Sequence, residues 1–104
     1  MTSKFIAINV DQATGVITYS DPAPHANKLD VIEWKCQDGP FVLQFKGATA
    51  VDFQGSHSTS NQAGAHVLRG KVQGNKGVYP YACAVYAHGE MYLDARCPVI
   101  IIDL

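Results

Sequence analysis

Apolar side chains recur at every second position along most of this chain. Ile6, Ile8 and Val10 alternate with Ala7 and Asn9, and Ile32, Trp34 and Cys36 share one face while Val31, Glu33 and Lys35 share the other. Phe41, Leu43 and Phe45 alternate with Val42, Gln44 and Lys46. Val67, Arg69 and Lys71 oppose Leu68, Gly70 and Val72, and Tyr79, Tyr81, Cys83 and Val85 alternate with Pro80, Ala82 and Ala84. A period of two is the mark of half-buried antiparallel strands. Residues 15–20 predict a further short strand after the Gln12-Ala13-Thr14 turn. The final run, Val99-Ile100-Ile101-Ile102, is continuously apolar, which predicts a strand covered on both faces or lying in an oligomer contact.

Turn residues punctuate these runs at Asp38-Gly39-Pro40, Gly74-Asn75-Lys76-Gly77 and His88-Gly89. No window carries a helical period. Residues 52–65, rich in Ser, Gly, Gln and Asn, read as a long loop with room for one short helical turn. Pro80 has no ladder donor, so its strand is expected to be at an edge or bulged there. Short strands with regular turn signals predict an all-β sandwich or barrel of about seven to eight strands.

Composition narrows the function classes. The chain has 104 residues, 47% hydrophobic and 16% charged, which predicts a single globular domain over residues 1–104. Net charge is -1, with the basic residues scattered singly. Nucleic acid and anionic membrane surfaces need a basic face, so neither is expected as a partner. Weak colloidal repulsion favours self-association. No stretch reaches the roughly 20 apolar residues of a membrane helix. The N-terminus has no signal-peptide pattern, so a cytoplasmic location is expected unless a leader has been removed. The cysteines are Cys36, Cys83 and Cys97. An odd count argues against a closed disulfide framework, leaving small buried thiols, or one bridge plus one thiol in an exported chain.

The segment Gly77-Val78-Tyr79-Pro80-Tyr81-Ala82-Cys83, followed by His88 and Met91, resembles the last copper-binding segment of the blue-copper cupredoxins. There a Gly-x-Tyr-x-Tyr-x-Cys strand leads to a His and then a Met. Lys28-Leu29-Asp30-Val31-Ile32-Glu33-Trp34 resembles that family's Gly-Asp-x-Val-x-Trp strand, with Leu29 in place of the glycine. The resemblance covers residues 28–104 and implies a Greek-key cupredoxin-like sandwich. It also implies Cys83, His88 and Met91 as candidate copper ligands, since thiolate and imidazole bind copper in a trigonal plane with a weak axial thioether. Two departures count against that site. Phe41 stands where the family has its other histidine, and Ala84-Val85-Tyr86-Ala87 reads as a strand that carries on to a His88-Gly89 hairpin turn.

The other histidines, His25, His57 and His66, lie in separate segments and are the available substitute ligands. Ser56-His57-Ser58 lacks the strand-to-helix elbow of a hydrolase nucleophile. The carboxylates are dispersed, with no acid/base pair, and there is no phosphate-binding glycine loop. Tyr79, Tyr81, Tyr86 and Tyr92 gather on the terminal hairpin and are the candidate contact residues, because tyrosine offers large area at small entropic cost. The leading expectation is therefore a non-catalytic binding or self-assembly module without copper or another cofactor. Its partner would be a protein or a further copy of the chain. The alternative is a copper electron-transfer protein using Cys83, His88 and Met91.

Overall fold

The computed structural model describes residues 3–45, 50–53, 60–62, 65–94 and 96–103. Among the described residues the chain forms eleven strands and no helix. They are β1 (Ser3–Asp11), β2 (Val16–Tyr19), β3 (His25–Ala26), β4 (Val31–Cys36), β5 (Phe41–Phe45), β6 (Val51–Phe53), β7 (Ser60–Gln62), β8 (Ala65–Val72), β9 (Gly77–Ala87), β10 (Glu90–Leu93) and β11 (Val99–Ile102). The count exceeds the seven or eight expected because three short strands, β3, β6 and β7, form in segments that do not read as strands. The stretch read as a long loop holds β7 and part of β6. Both pair antiparallel with β8, β6 at its end and β7 at its start. Residues 54–59 and 63–64, with His57, lie outside the described residues.

Two sheets face each other. The first has the order β2-β1-β4-β8-β6, with β7 also on β8. In the second, β9 carries β5 on one edge and β10 and β11 in succession on the other, with β3 beyond β11. The chain crosses between layers at β2–β3, β3–β4, β4–β5, β5–β6 and β8–β9, which gives the Greek-key sandwich. Alternation decides which side chains go inside. In β4 and β5 every second residue is buried, and these positions are the ones with apolar period two in the sequence.

Trp34 and Tyr81 sit at the centre, both without solvent exposure. Trp34 Nε1 donates to the Tyr81 hydroxyl at 3.2 Å, and the rings meet edge to face at 5.9 Å and 80°. A buried indole N–H and a buried phenol each need a partner, and here each supplies the other's. Tyr81 also packs on Phe45 at 5.3 Å and Tyr19 at 6.4 Å.

Pro80 occupies a local edge of a central strand. It lies opposite Val99 of β11, and the β5 ladder ends one residue on, at the Phe45–Tyr81 pair. No ladder bond described on the β5 side calls for the N–H that proline lacks.

Leu29 adopts φ +78° in the approach to β4. Its N–H donates to the Val72 carbonyl at 2.8 Å, and Val72 returns a bond to the Asp30 carbonyl at 2.8 Å. The corner is further tied by Asn27 N–H donating to Asp30 Oδ2 at 2.8 Å. This is the position where the cupredoxin pattern has glycine, and the left-handed angle explains that preference. Leu29 is 56% exposed, so little packing opposes its removal. Leu29→Gly is expected to stabilise the fold by about 0.5–1 kcal/mol, by relief of the left-handed strain. A urea titration checks it, and an unchanged or lower midpoint would refute the assignment of strain.

Candidate functional site

Strand β9 runs without a break from Gly77 to Ala87. Cys83 lies in its middle, opposite Leu43 of β5, and its carbonyl accepts the Asp94 N–H at 3.0 Å. The chain reverses only at His88 and Gly89, whose φ angles are 54° and 77°. Two central residues of positive φ make the two-residue hairpin turn whose twist matches its strands. β10 then returns with Met91 opposite Tyr86 and Tyr92 opposite Val85.

This geometry separates the three candidate copper ligands. The Cys83 thiol points into the core and is almost fully buried. His88 is exposed at the turn, five residues on, which is roughly 16 Å at about 3.3 Å per strand residue. Met91 pairs with Tyr86, on the face of the sheet opposite to Cys83. Phe41, at the position of the family's other histidine, is buried opposite Val85. His25 Nδ1 instead meets Asp103 Oδ1 at 3.1 Å, and His66 pairs with Cys36 on the β4–β8 ladder. No group of three His, Cys, Asp or Glu side chains converges among the described residues. These residues do not fit a trigonal copper plane.

A different set of contacts surrounds Cys83. The Tyr19 hydroxyl donates to Asp94 Oδ2 at 2.5 Å, and Tyr19 also bonds with the Cys83 sulfur. Burial pushes the Cys83 thiol up to about 12, hydrogen bonding with Tyr19 draws it back somewhat, and Asp94 and Cys36 push it further up. A thiol so held is neutral at physiological pH and is a poor nucleophile. Burial also raises Tyr19, with its bond to Asp94 adding to the effect. Beside this cluster is an open cavity of about 310 Å³ between β2 and the segment joining β10 to β11. Ile17, Tyr19, Pro22, Asp94, Arg96 and Cys97 are among its lining residues. The Asp94 carboxylate is already engaged there, one oxygen by Tyr19 and the other by the Arg96 N–H at 2.8 Å. The three thiols form no disulfide.

The four tyrosines do not share a surface. Tyr81 is wholly buried against Trp34, and Tyr92 is nearly so, which corrects the expectation that both contribute to a contact face. The hairpin register explains Tyr92: counted from the two-residue turn it falls opposite Val85, an inward position. Tyr79 is half-buried and its hydroxyl donates to the Asn75 carbonyl at 2.5 Å. Of the four, only Tyr86 is broadly exposed, at 50%.

Tyr86 belongs to a larger apolar surface that the sequence pattern hid. The outer face of the second sheet carries Val42, Val78, Tyr86, Met91 and Leu93, all well exposed, with Leu93 at 73% and Met91 at 61%. Register joins them. Val42 and Leu93 flank Ala84, Met91 lies beside Tyr86, and Ile101 beside Val78. The half-buried Val99 and Ile101 continue this face, so the outer side of the final strand is apolar too. β5, β9 and β11 contain no acidic, basic or histidine residue. The outer face of the first sheet differs, carrying Glu33, Lys35, Arg69 and Lys71, with an Arg69–Glu33 ion pair. The signal that could have exposed the apolar face was the pairing across the His88-Gly89 turn, which sets Met91 and Leu93 beside Tyr86 and Ala84.

No protein-family profile matches the sequence, and no curated protein does. Solved structures do. A novel purple cupredoxin from Nitrosopumilus maritimus superposes with a TM-score of 0.60 at 14% identity, covering 96% of this chain and 99% of that one. The cysteine protease inhibitor EhICP2 from Entamoeba histolytica superposes with a TM-score of 0.51 at 11% identity, covering 98% of this chain and 96% of that one. With the strand order and the Trp34–Tyr81 centre, the full-length superposition on the purple cupredoxin shows that this chain has the cupredoxin-like Greek-key β-sandwich fold.

Proposed function

We propose that this chain is a non-catalytic binding or assembly module that works without copper, through the outer face of its second sheet. The observation that carries the reading is that face itself: contiguous, apolar, and free of charged residues on β5, β9 and β11. Contiguous exposed apolar surface of this kind marks interaction sites on soluble proteins. The unbroken β9 supports the absence of a copper role, because it holds Cys83 in the core and His88 at a distant turn. EhICP2 is by its name an inhibitor of cysteine proteases, and an inhibitor acts by binding rather than by chemistry. A sandwich of this shape in a binding role is consistent with the proposal.

The test is capture on the immobilised chain, with Tyr86→Lys as the comparison. Tyr86 is exposed, so its replacement leaves the core intact, and buried tyrosines are frequent energetic centres of interfaces. The expected result is a protein retained by the unmodified chain, whether further copies or a different protein, with affinity at least about tenfold weaker for Tyr86→Lys. Equal retention by both, or none by either, would refute the proposal.

A further inference from the structure

We infer that the occupant of this face is a second copy of the chain, packed sheet against sheet about a two-fold axis. The inference rests on the reading just given and names its partner.

Size is the first argument. β9 spans eleven residues, which is roughly 36 Å at about 3.3 Å per residue. The sheet is at most three strands wide at any level of β9, which at about 4.8 Å per strand is roughly 14 Å. The face therefore spans on the order of 500 Å², so that two copies together reach the roughly 1,000 Å² in total that a specific interface needs.

Charge is the second. A distinct partner is commonly selected by complementary charges and by polar groups that only the right partner satisfies. β5, β9 and β11 have no charged residue with which to encode such a choice. An apolar sheet face needs no code to match its own copy, since two such faces stack about 10 Å apart in aligned sandwiches. A two-fold axis places the same patch on both sides. The net charge of -1 gives little long-range repulsion between copies. The charged outer face of the first sheet, with its Arg69–Glu33 pair, remains in water on both sides of the dimer.

The experiment is sedimentation velocity over a concentration series from about 1 μM to about 1 mM, on the unmodified chain and on Met91→Lys, Leu93→Lys and Phe5→Lys. All three positions are more than half exposed, and circular dichroism confirms that each variant folds. Phe5 lies on the first sheet and is the control. The expected result is a concentration-dependent dimer whose Kd rises at least about tenfold in Met91→Lys and Leu93→Lys and stays within about twofold in Phe5→Lys. A monomer at every concentration overturns the inference. So does a dimer weakened equally by Phe5→Lys. If the monomeric chain still captures a different protein in a Tyr86-dependent way, the proposed function stands and only the inference falls. If it captures nothing, both fall.

Discussion

Gly39→Ala is expected to destabilise the fold by about 3 kcal/mol, a large part of the roughly 5–15 kcal/mol that holds a domain together. Gly39 is buried in the turn between β4 and β5. A Cβ there would stand 2.0 Å from the Tyr86 carbonyl oxygen and 3.4 Å from the Ala87 Cα. Both are backbone atoms of β9 and cannot rotate away as a side-chain tip could. β9 is fixed at that level on two sides, by Tyr86 N–H donating to the Pro40 carbonyl at 2.9 Å and by β10 on the other edge. The turn is also tied to β1 through Val10 N–H donating to Asp38 Oδ2 at 2.9 Å. Relief of the clash must therefore separate the turn from the sheet. Thermal unfolding should register a fall of roughly 12–24 °C, at about 4–8 °C per kcal/mol for a chain of this size. A Tm within a few degrees of the unmodified chain would mean that the turn does not press on β9.

The second large effect is the loss of stability in alkali. The Cys83 thiol, ordinarily near 9.0, is pushed up to about 12 in the folded chain, chiefly by burial. A folded value above the unfolded one means that the native state holds its proton longer. Its contribution is fully present below pH 9 and is lost as pH rises towards 12, because the unfolded chain ionises first. The span from 9.0 to about 12 corresponds to about 4 kcal/mol at about 1.4 kcal/mol per pH unit, an order-of-magnitude figure. Cys36 is raised by burial and acts in the same direction, and the raised Tyr19 and Tyr81 add to the loss above pH 10. Asp94, which faces Cys83 and Tyr19, is held by Tyr19 and adds to the penalty for a thiolate. Urea unfolding under reducing conditions from pH 7 to 11 measures the slope. Cys83→Ala should flatten it, at a modest cost in stability at neutral pH from the cavity it leaves. An unfolding free energy that does not change between pH 8 and 10.5 would show that the thiol is accessible to water.

The fold was largely legible because alternation is a local property. Trp34, Leu43 and Tyr81 each fall on the buried phase of a two-residue period, and all three are in the core. The Gly77–Cys83 pattern and the Trp34 strand carried the resemblance to the cupredoxins, and the superposition agrees at the level of fold. What was not legible depends on which strand lies beside which. Alternation gives the faces of a strand but not its neighbours, so the apolar patch built from β5, β9, β10 and β11 could not be seen as one surface. Tyr92 was misplaced for the same reason. β7 was missed because Ser60-Asn61-Gln62 has no strand-like composition, and its pairing with β8 overrides propensity. The Tyr19–Asp94 bond joins residues 75 positions apart in the chain, and no local pattern announces it.

The unlike faces of the two sheets make the whole molecule an amphiphile about 39 × 27 × 21 Å in extent. One broad side carries Glu33, Lys35, Arg69 and Lys71, and the other is mainly aliphatic and aromatic, with the His25–Asp103 pair at its β3 edge. A body of this kind orients at an air–water boundary with its dry side towards the gas and lowers the surface tension there. Shaking or bubbling a dilute solution would therefore strip protein into the foam, and a nonionic detergent that coats the bubbles first would keep it in the bulk.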